Sequence, residues 1–293
     1  MERRPLGSTG LQVSALGFGA GPIGDAALSE DEAAKLLHGA LDAGINLLDT
    51  APSYGLSEER IGRHLQGRRG EFVLSTKCGY GVPGVEDWTG PCITQGIELA
   101  LRRMRTEVID VMHFHSCSIG VLERPGVVDA LTRAVEQGKI RVAAYSGDNH
   151  ALEHALNMGR FRSIQVSVNL FDQRAIDWGV ARARERGVGV IAKRPLGNAP
   201  WRFSERPGAQ DVALYWDRMR QMALDPHGLE GSEFALRFAA FVPGVASCIV
   251  GTTRLENLLS NVRALEHGPL APELVTQVRD AFRRNDHGWD GQI

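Results

Sequence analysis

The feature that most constrains the fold of this chain is a unit that repeats along nearly its whole length. Each unit is a short apolar run, then a break at glycine, proline or a polar residue, then a segment with apolar residues at helical spacing. Near-continuously apolar strands that alternate with helices indicate a parallel sheet covered by helices. The pattern predicts eight strands, at residues 15–20, 45–49, 72–77, 108–115, 140–145, 163–170, 188–192 and 246–250.

Eight such units suit closure of the sheet, so we predict an α/β fold of the (β/α)₈ TIM-barrel type. The alternative is an open doubly wound sheet, which needs a Gly-x-Gly-x-x-Gly turn directly before a helix. The glycine-rich stretch at residues 17–21 is too crowded for that turn, and no helix follows it at once. The barrel is therefore favoured, with a β-hairpin over residues 5–13 before it and an extra helix over residues 272–284 at the end.

The segments between the repeated units predict the domain organisation. Neither a Pro/Ser-rich linker nor a low-complexity tract divides the chain, so residues 1–293 are expected to form one barrel domain. Two connections, at residues 78–93 and 196–230, are longer than the turns around them. Long ordered connections usually act as lids or pocket walls, so we expect that role for both.

Composition and charge exclude several classes of protein. A net charge of -2 argues against a nucleic-acid or membrane-surface footprint. No apolar run reaches the ~18 residues of a membrane span, and the first residues lead into no signal peptide. The four cysteines lack paired spacing, as expected of reduced thiols. We therefore expect a cytoplasmic protein that binds neither nucleic acid nor a membrane.

Ionisable side chains stand at the predicted carboxyl ends of three consecutive strands. Asp49 ends the second strand, and Tyr54 follows it across a turn. Lys77 ends the third strand, and His115 ends the fourth. Because the reactive groups of a barrel lie at the carboxyl ends of its strands, these four side chains are expected to converge.

The four side chains have complementary chemistry. A lysine at the rim of an apolar barrel is costly unless it is paired, and Asp49 is available to pair with Lys77. The lysine cation favours the phenolate of Tyr54, which makes the phenol a better general acid toward a carbonyl oxygen. A neutral His115 can hydrogen-bond the same oxygen. Such a site protonates an alkoxide while a hydride arrives from elsewhere.

Each of these residues also has an ordinary structural interpretation, and only their combination favours catalysis. A single strand-end aspartate is usually a cap, and a single strand-end lysine is usually solvated. His113 and His115 share a strand face, and either can be a core histidine. Because the two histidines could bind a metal, a metal-dependent hydrolase remains an alternative function, although the later strands supply few further metal ligands. A lyase that forms a Schiff base through Lys77 is a further alternative function.

Several segments resemble the signature segments of the aldo-keto reductase superfamily. They are residues 6–14, 49–55, 75–77, 109–115, 138–141, 165–170 and 249–253, in that order and across nearly the whole chain. The resemblance implies a (β/α)₈ barrel that reduces an aldehyde or ketone to an alcohol with NAD(P)H. It also implies that the catalytic tetrad is Asp49, Tyr54, Lys77 and His115, with Tyr54 as the proton donor.

The resemblance further implies a nucleotide site and no metal. NADPH is the expected cofactor because Arg254 is the cation placed to meet a 2′-phosphate. NADH remains an alternative cofactor, since Asn257 replaces a basic or glutamine side chain that is common in the family. The last barrel helix is expected to present its N-terminus to phosphate. The expected nucleotide contacts are Gly19, Ser146, Gln165, Asn169, Lys193, Arg194, Gly251, Thr252, Thr253, Arg254, Asn257 and Asn261.

Two positions depart from the family pattern around the nicotinamide. Gly147 stands where many members have an asparagine, and Lys193 stands where many carry an aromatic residue that stacks on the ring. Either Arg194 replaces that stacking with its planar guanidinium, or the nicotinamide ring is held differently. A fixed cation beside the ring would disfavour the positively charged oxidised cofactor, which leads to the hypothesis that the enzyme is biased toward reduction.

Aromatic residues near the strand ends and in the long loops are the candidates for an apolar substrate pocket. They are Phe18, Trp88 and Trp201, and the substrate is expected to be a small aldehyde or ketone. The protein is expected to act as a monomer or small homo-oligomer. A non-catalytic nucleotide-sensing subunit is the remaining alternative, because barrels of this superfamily also serve as channel β-subunits.

Overall fold

An antiparallel hairpin of β1 (Arg3–Pro5) and β2 (Gln12–Ser14) precedes eight parallel strands in the computed structural model, which describes residues 1–292. The eight strands pair side by side until the last pairs with the first, which closes a barrel. The predicted (β/α)₈ barrel and hairpin are therefore confirmed. The barrel strands are β3 (Leu16–Gly19), β4 (Leu47–Asp49), β5 (Val73–Cys78), β6 (Ile109–His115), β7 (Ile140–Ser146), β8 (Ser163–Ser167), β9 (Gly189–Lys193) and β10 (Val245–Val250).

Helices cover the outside of the barrel. Short 3₁₀ turns lie at Pro22–Gly24, Gln66–Glu71 and Pro200–Arg202, and a π-helical turn lies at Ile176–Val180. No helix between residues 1 and 292 combines the length and apolar character of a membrane span. The α-helices are α1 (Glu30–Asp42), α2 (Ser57–Leu65), α3 (Gly90–Arg103), α4 (Ile119–Leu122), α5 (Val127–Glu136), α6 (Asn149–Met158), α7 (Ala181–Glu185), α8 (Gln210–Met222), α9 (Gly231–Ala240), α10 (Leu255–Glu266) and α11 (Pro272–Asn285).

Helix α1 illustrates how the local sequence fixes a helix boundary. The Ser29 hydroxyl accepts a hydrogen bond from the backbone N–H of Glu32 at 3.3 Å. The Glu32 carboxylate accepts one from the backbone N–H of Ser29 at 3.0 Å. This capping box satisfies two donors that the helix itself leaves unpaired. Leu36 and Leu37 then face the barrel and are buried against it.

The strands separate two apolar layers, and the inner layer determines where polar side chains can lie. Successive side chains of a strand point to opposite faces, so every second residue enters the barrel. Leu47, Val111 and Ile191 fill its lower part, and Leu6 and Val13 from the hairpin close its bottom. The polar residues further along the same strand faces therefore meet at the carboxyl end of the barrel.

Phe18 does not lie on the inner face, contrary to the expectation that it lines a substrate pocket. It pairs in register with Leu48, and both are fully buried in the layer between barrel and helices. Its neighbour Gly17 is the residue that faces inward, since a Cβ there would lie 3.1 Å from the Leu47 side chain. Because successive side chains of β3 alternate between its two faces, Phe18 points away from the inside of the barrel and does not line the pocket.

The connection at residues 196–230 contains a helix that is tied to the barrel mouth. Helix α8 supplies Tyr215, whose hydroxyl donates to the Asp172 carboxylate at 2.6 Å. It also supplies Arg218, which forms a buried ion pair with Asp172. Helix α9, which follows β9 as the barrel helix, was missing from the predicted elements.

Residues 290–292 lie against the mouth of the barrel. The Asn149 side chain exchanges two hydrogen bonds with the backbone of Gly291, at 2.8 and 3.1 Å. The Ser167 hydroxyl donates to the carbonyl of Gln292 at 2.9 Å, and the backbone N–H of Gln292 donates to Asp172 at 3.1 Å. These contacts place residues 290–292 over the carboxyl end of β8.

Candidate active site

The four residues predicted to form a tetrad meet at one edge of the barrel mouth. Asp49 ends β4, Lys77 lies near the end of β5, and His115 ends β6. Tyr54 stands in the loop between β4 and α2. Because β4, β5 and β6 are neighbours in the barrel, their carboxyl ends bring these side chains together.

Asp49 and Lys77 form an ion pair whose side chains are both only 2% exposed. The Lys77 Nζ lies 2.6 Å from Oδ2 of Asp49 and also donates to the Thr50 carbonyl at 2.8 Å. Burial acts most strongly and would raise the pKa of Asp49, but the charge and hydrogen bond of Lys77, together with His113 and Ser75, outweigh it and the pKa is lowered. Burial alone would lower the pKa of Lys77, but Asp49 raises it. Both groups therefore stay charged.

Tyr54 is held over this ion pair by a loop that two glycines make possible. Its ring centroid lies 5.2 Å from the Lys77 Nζ. A Cβ on Gly24 would come within 1.7 Å of the Tyr54 carbonyl oxygen. Gly55 has a φ of +51°, and a Cβ there would lie 2.4 Å from the Gly24 carbonyl oxygen. Side chains at either glycine would therefore displace the tyrosine.

His115 is a neutral imidazole that faces Tyr54. The two rings meet edge to face with their centroids 6.1 Å apart. Burial, followed by the nearby Lys77 charge, lowers the pKa of His115 from 6.5 to about 3. At neutral pH its ring therefore carries one N–H donor and one acceptor.

His113 lies deeper on the same face of β6 and is completely buried. Burial lowers its pKa from 6.5 to about 4, although the charge of Asp49 acts in the opposite direction. Among residues 1–292 no group of three or more His, Cys, Asp and Glu side chains is arranged to hold a metal ion.

Two of the expected nucleotide contacts are joined to the tetrad by hydrogen bonds. The Ser146 hydroxyl donates to the amide oxygen of Gln165 at 3.0 Å. The amide nitrogen of Gln165 donates to Oδ1 of Asp49 at 2.9 Å, and the Ser75 hydroxyl donates to the same oxygen at 2.7 Å. Ser146 and Gln165 therefore stand on the far side of the mouth with their polar atoms oriented.

Asn169 does not fit its expected role as a nucleotide contact. It is completely buried, and its amide oxygen accepts hydrogen bonds from the backbone N–H groups of Phe171 and Asp172 at 2.8 and 2.9 Å. Its amide nitrogen donates to the Tyr215 hydroxyl at 3.4 Å. The side chain instead stabilises the loop after β8.

Lys193 has a partner that the sequence did not reveal. Its Nζ lies 2.7 Å from Asp148, and this carboxylate also accepts from the backbone N–H of Ser167 at 2.9 Å. Burial lowers the pKa of Lys193 while Asp148 opposes that effect. Because Asp148 balances its charge, Lys193 is not the isolated cation that the reduction-bias hypothesis assumed. Its neighbour Arg194 has a φ of +52° and lines the adjoining cleft.

A cleft of about 880 Å³ extends from the barrel mouth toward the start of α10. The backbone of Gly251 packs closely on β3, because a Cβ there would lie 2.9 Å from the Gly19 carbonyl oxygen. No side chain caps the first turn of α10, so its backbone N–H groups are available to an anion. The predicted nucleotide contacts that line the cleft are Arg194, Gly251, Thr252, Thr253, Arg254, Asn257 and Asn261.

The two tryptophans expected around the substrate lie in different places. Trp201 lines the cleft beside α10 and packs on Gly231, so it stands with the predicted nucleotide contacts of that cleft. Trp88 packs against Tyr80, with ring centroids 6.1 Å apart, and against Phe114 at 6.2 Å. Trp88 therefore supports the loop after β5 next to the tetrad.

Tyr80 is the residue of this region that the sequence pattern did not single out. Its hydroxyl is hydrogen-bonded to Nδ1 of His115 and lies 2.8 Å from the hydroxyl of Ser53. The only sequence signal was a polar aromatic residue three positions after Lys77, between two glycines.

Comparison with known proteins assigns the family. A sequence model of the aldo/keto reductase family matches residues 15–282. The chain belongs to the aldo/keto reductase family. This reductase is similar to L-galactose dehydrogenase of Arabidopsis thaliana, with 28% identity over 90% of this chain and 88% of the relative. It is also similar to 6-dehydroglucose reductase of Novosphingobium aromaticivorans, with 30% identity over 72% and 73%.

A solved structure supports the same assignment. The holo form of the aldo-keto reductase AKR11C1 from Bacillus halodurans superimposes on this reductase with a TM-score of 0.84 and 27% identity. The superposition covers 96% of each chain. Family and relatives together make the protein an oxidoreductase and support carbonyl reduction as its general chemistry.

The buried His113 predicts an acid-sensitive stability. Below pH 6.5 the unfolded chain binds a proton at this histidine, whereas the folded chain does not until about pH 4. Stability is therefore lost as pH falls from 6.5 toward 4, by about 1 kcal/mol per pH unit for this residue. Urea unfolding at several pH values between 5 and 6 gives the free energy of unfolding as a function of pH. In His113→Gln this free energy should fall less steeply with falling pH than in wild-type protein, by about 1 kcal/mol per pH unit. An unchanged slope, or an equal change in the exposed-site control His150→Gln, contradicts the prediction.

Proposed function

We propose that this protein reduces an aldehyde or ketone to an alcohol, using NAD(P)H as hydride donor and Tyr54 as proton donor. The observation that carries the proposal is the buried Asp49–Lys77 ion pair directly beneath the Tyr54 ring, with the neutral His115 beside it. A lysine cation stabilises the phenolate that remains once the proton has left. Tyr54 is thereby suited to protonate the oxygen of a carbonyl group as it becomes an alkoxide.

His115 has a separate part in this proposal. A neutral imidazole can donate one hydrogen bond to the carbonyl oxygen without adding a charge beside Lys77. Donors from Tyr54 and His115 would fix the oxygen and leave the carbonyl carbon facing the open mouth of the barrel. This geometry stabilises the negative charge that develops on the oxygen.

The cleft supports NAD(P)H as the cofactor. Its volume and its open helix N-terminus suit an extended molecule with phosphate groups. When bound, the dihydronicotinamide supplies the hydride. Ser146 and Gln165 would hold its carboxamide at the barrel mouth, and Arg194 would lie along the path between the ring and the phosphates. Thr252 and Asn257 would contact the adenosine end, where the exposed guanidinium of Arg254 would meet a 2′-phosphate.

The names of two relatives and the polar groups at the barrel mouth suggest a substrate class. Two relatives carry the names of sugar enzymes, L-galactose dehydrogenase and 6-dehydroglucose reductase, so sugar carbonyls belong first in a substrate panel. Polar groups at the mouth, Ser53, Tyr80 and the Lys193–Asp148 pair, are compatible with a polyhydroxylated substrate. We further propose that one barrel domain acts in the cytoplasm, as a monomer or small homo-oligomer.

Replacing the proton donor tests the proposed reaction. Wild-type protein should consume NADPH with at least one carbonyl of a panel of aldoses, ketoses and simple aldehydes. Tyr54→Phe should lower kcat by roughly 10²–10⁴-fold, the usual contribution of general acid catalysis, without loss of NADPH binding. Tyr145→Phe, which removes a phenol that bonds the Cys117 carbonyl on the helix side of β7, should leave turnover unchanged. Wild-type protein that binds NADPH but reduces no carbonyl would instead indicate a nucleotide sensor.

The nucleotide preference is tested at Arg254. Its charged hydrogen bond to a 2′-phosphate would be lost in Arg254→Ala, so NADPH should bind about tenfold more weakly. NADH lacks that phosphate and should bind as before. Fluorescence titration of both nucleotides measures the two affinities. Equal weakening of NADPH and NADH would contradict the assignment of Arg254.

A further inference from the structure

Tyr80 contacts the Nδ1 edge of the His115 ring. Its hydroxyl is hydrogen-bonded to Nδ1 of His115, and the two rings are stacked with their centroids 5.5 Å apart and their planes 29° apart. The Ser53 hydroxyl lies 2.8 Å from the same Tyr80 oxygen. Ser53, Tyr80 and His115 therefore form a continuous chain of hydrogen bonds at the barrel mouth.

Each hydroxyl carries one proton, and two directions of this chain let Tyr80 donate within it. In one direction Ser53 donates to Tyr80 and Tyr80 donates to Nδ1, which leaves the proton of the neutral imidazole on Nε2. In the other direction Nδ1–H donates to Tyr80 and Tyr80 donates to Ser53, which leaves Nε2 as a bare acceptor. Burial raises the pKa of Tyr80, so its hydroxyl keeps its proton and stays a donor.

The proposed reaction distinguishes the two directions. A carbonyl oxygen is an acceptor, so it is stabilised by Nε2–H and repelled by a bare Nε2 lone pair. We infer that Tyr80 is a positioning residue that donates its hydroxyl proton to Nδ1 of His115 and thereby holds Nε2–H toward the substrate carbonyl. This inference rests on the proposed function, because only an acceptor substrate requires that tautomer.

The surroundings of Tyr80 fix its position. Trp88 packs against its ring, and the backbone N–H of Trp88 donates to the Gly79 carbonyl at 2.7 Å. The Asp87 carboxylate accepts from the backbone N–H of Gly81 at 3.0 Å. The loop after β5 is thus closed on itself around Tyr80, which gives the expected pocket residue Trp88 a role in holding the hydroxyl against His115.

The test is nitrogen NMR of the histidine rings combined with kinetics. In ¹⁵N-histidine-labelled wild-type protein, His115 should show a protonated Nε2 and a hydrogen-bonded, unprotonated Nδ1; His115→Ala identifies its signals. In Tyr80→Phe the Nδ1 signal should shift toward that of a free nitrogen. The same variant should lose about tenfold in kcat, less than the 10²–10³-fold that removal of a donor itself typically costs. Tyr145→Phe, the matched loss of a phenol elsewhere, should alter neither.

A double-mutant cycle separates action through His115 from a general structural effect. If Tyr80 acts through His115, Tyr80→Phe should cause no further loss of kcat in a His115→Ala background. A full additional loss there overturns the inference, as does a wild-type proton on Nδ1 or an Nδ1 signal that Tyr80→Phe leaves unchanged. Absence of any turnover in wild-type protein would overturn the proposed function, while the ring spectra would still decide the tautomer.

Discussion

A carboxylate or an ammonium group loses favourable hydration worth several kcal/mol when it is buried, and Asp49 and Lys77 are both almost entirely buried. The barrel offsets this loss by satisfying both groups with hydrogen bonds. Ser75 and Gln165 donate to the carboxylate, and the Thr50 carbonyl accepts from the ammonium. These contacts join three strands at their carboxyl ends. The proposed role of Tyr54 as proton donor depends on this one ion pair.

The rest of the barrel mouth follows the same electrostatic rule. Lys193, which is partly buried, repeats the arrangement with the buried Asp148, so each of these two lysines is balanced by a buried carboxylate. His113 and His115 stay neutral because burial and the nearby lysine charge both oppose their protonation. Around Tyr54 and His115 the mouth therefore offers hydrogen-bond donors, while the charges of Lys77 and Lys193 are each balanced by a carboxylate. That property suits a site that binds a neutral carbonyl and stabilises charge only as it develops on the oxygen.

Local sequence patterns predicted the barrel and the convergence of strand ends, because both follow from apolar periodicity and from the way parallel strands end. They failed where a long-range partner decides the outcome. Asp148 follows β7 and pairs with a lysine of β9, which no local pattern reveals. The side on which Phe18 lies depends on strand register, and two flanking glycines gave no polar alternation to fix it. Asn169 accepts hydrogen bonds from the backbone of the loop after β8 and also contacts Tyr215 of α8, which lies 46 residues further along the chain.

In the proposed reaction the Asp49–Lys77 pair makes Tyr54 a proton donor. The most direct measurement compares wild-type protein with the double variant Asp49→Asn/Lys77→Met. Replacing both partners leaves no unpaired buried charge, so the variant should stay folded and bind NADPH in a fluorescence titration. We expect its kcat for carbonyl reduction to fall by at least about 100-fold. A folded double variant that binds NADPH and keeps wild-type turnover would contradict the account.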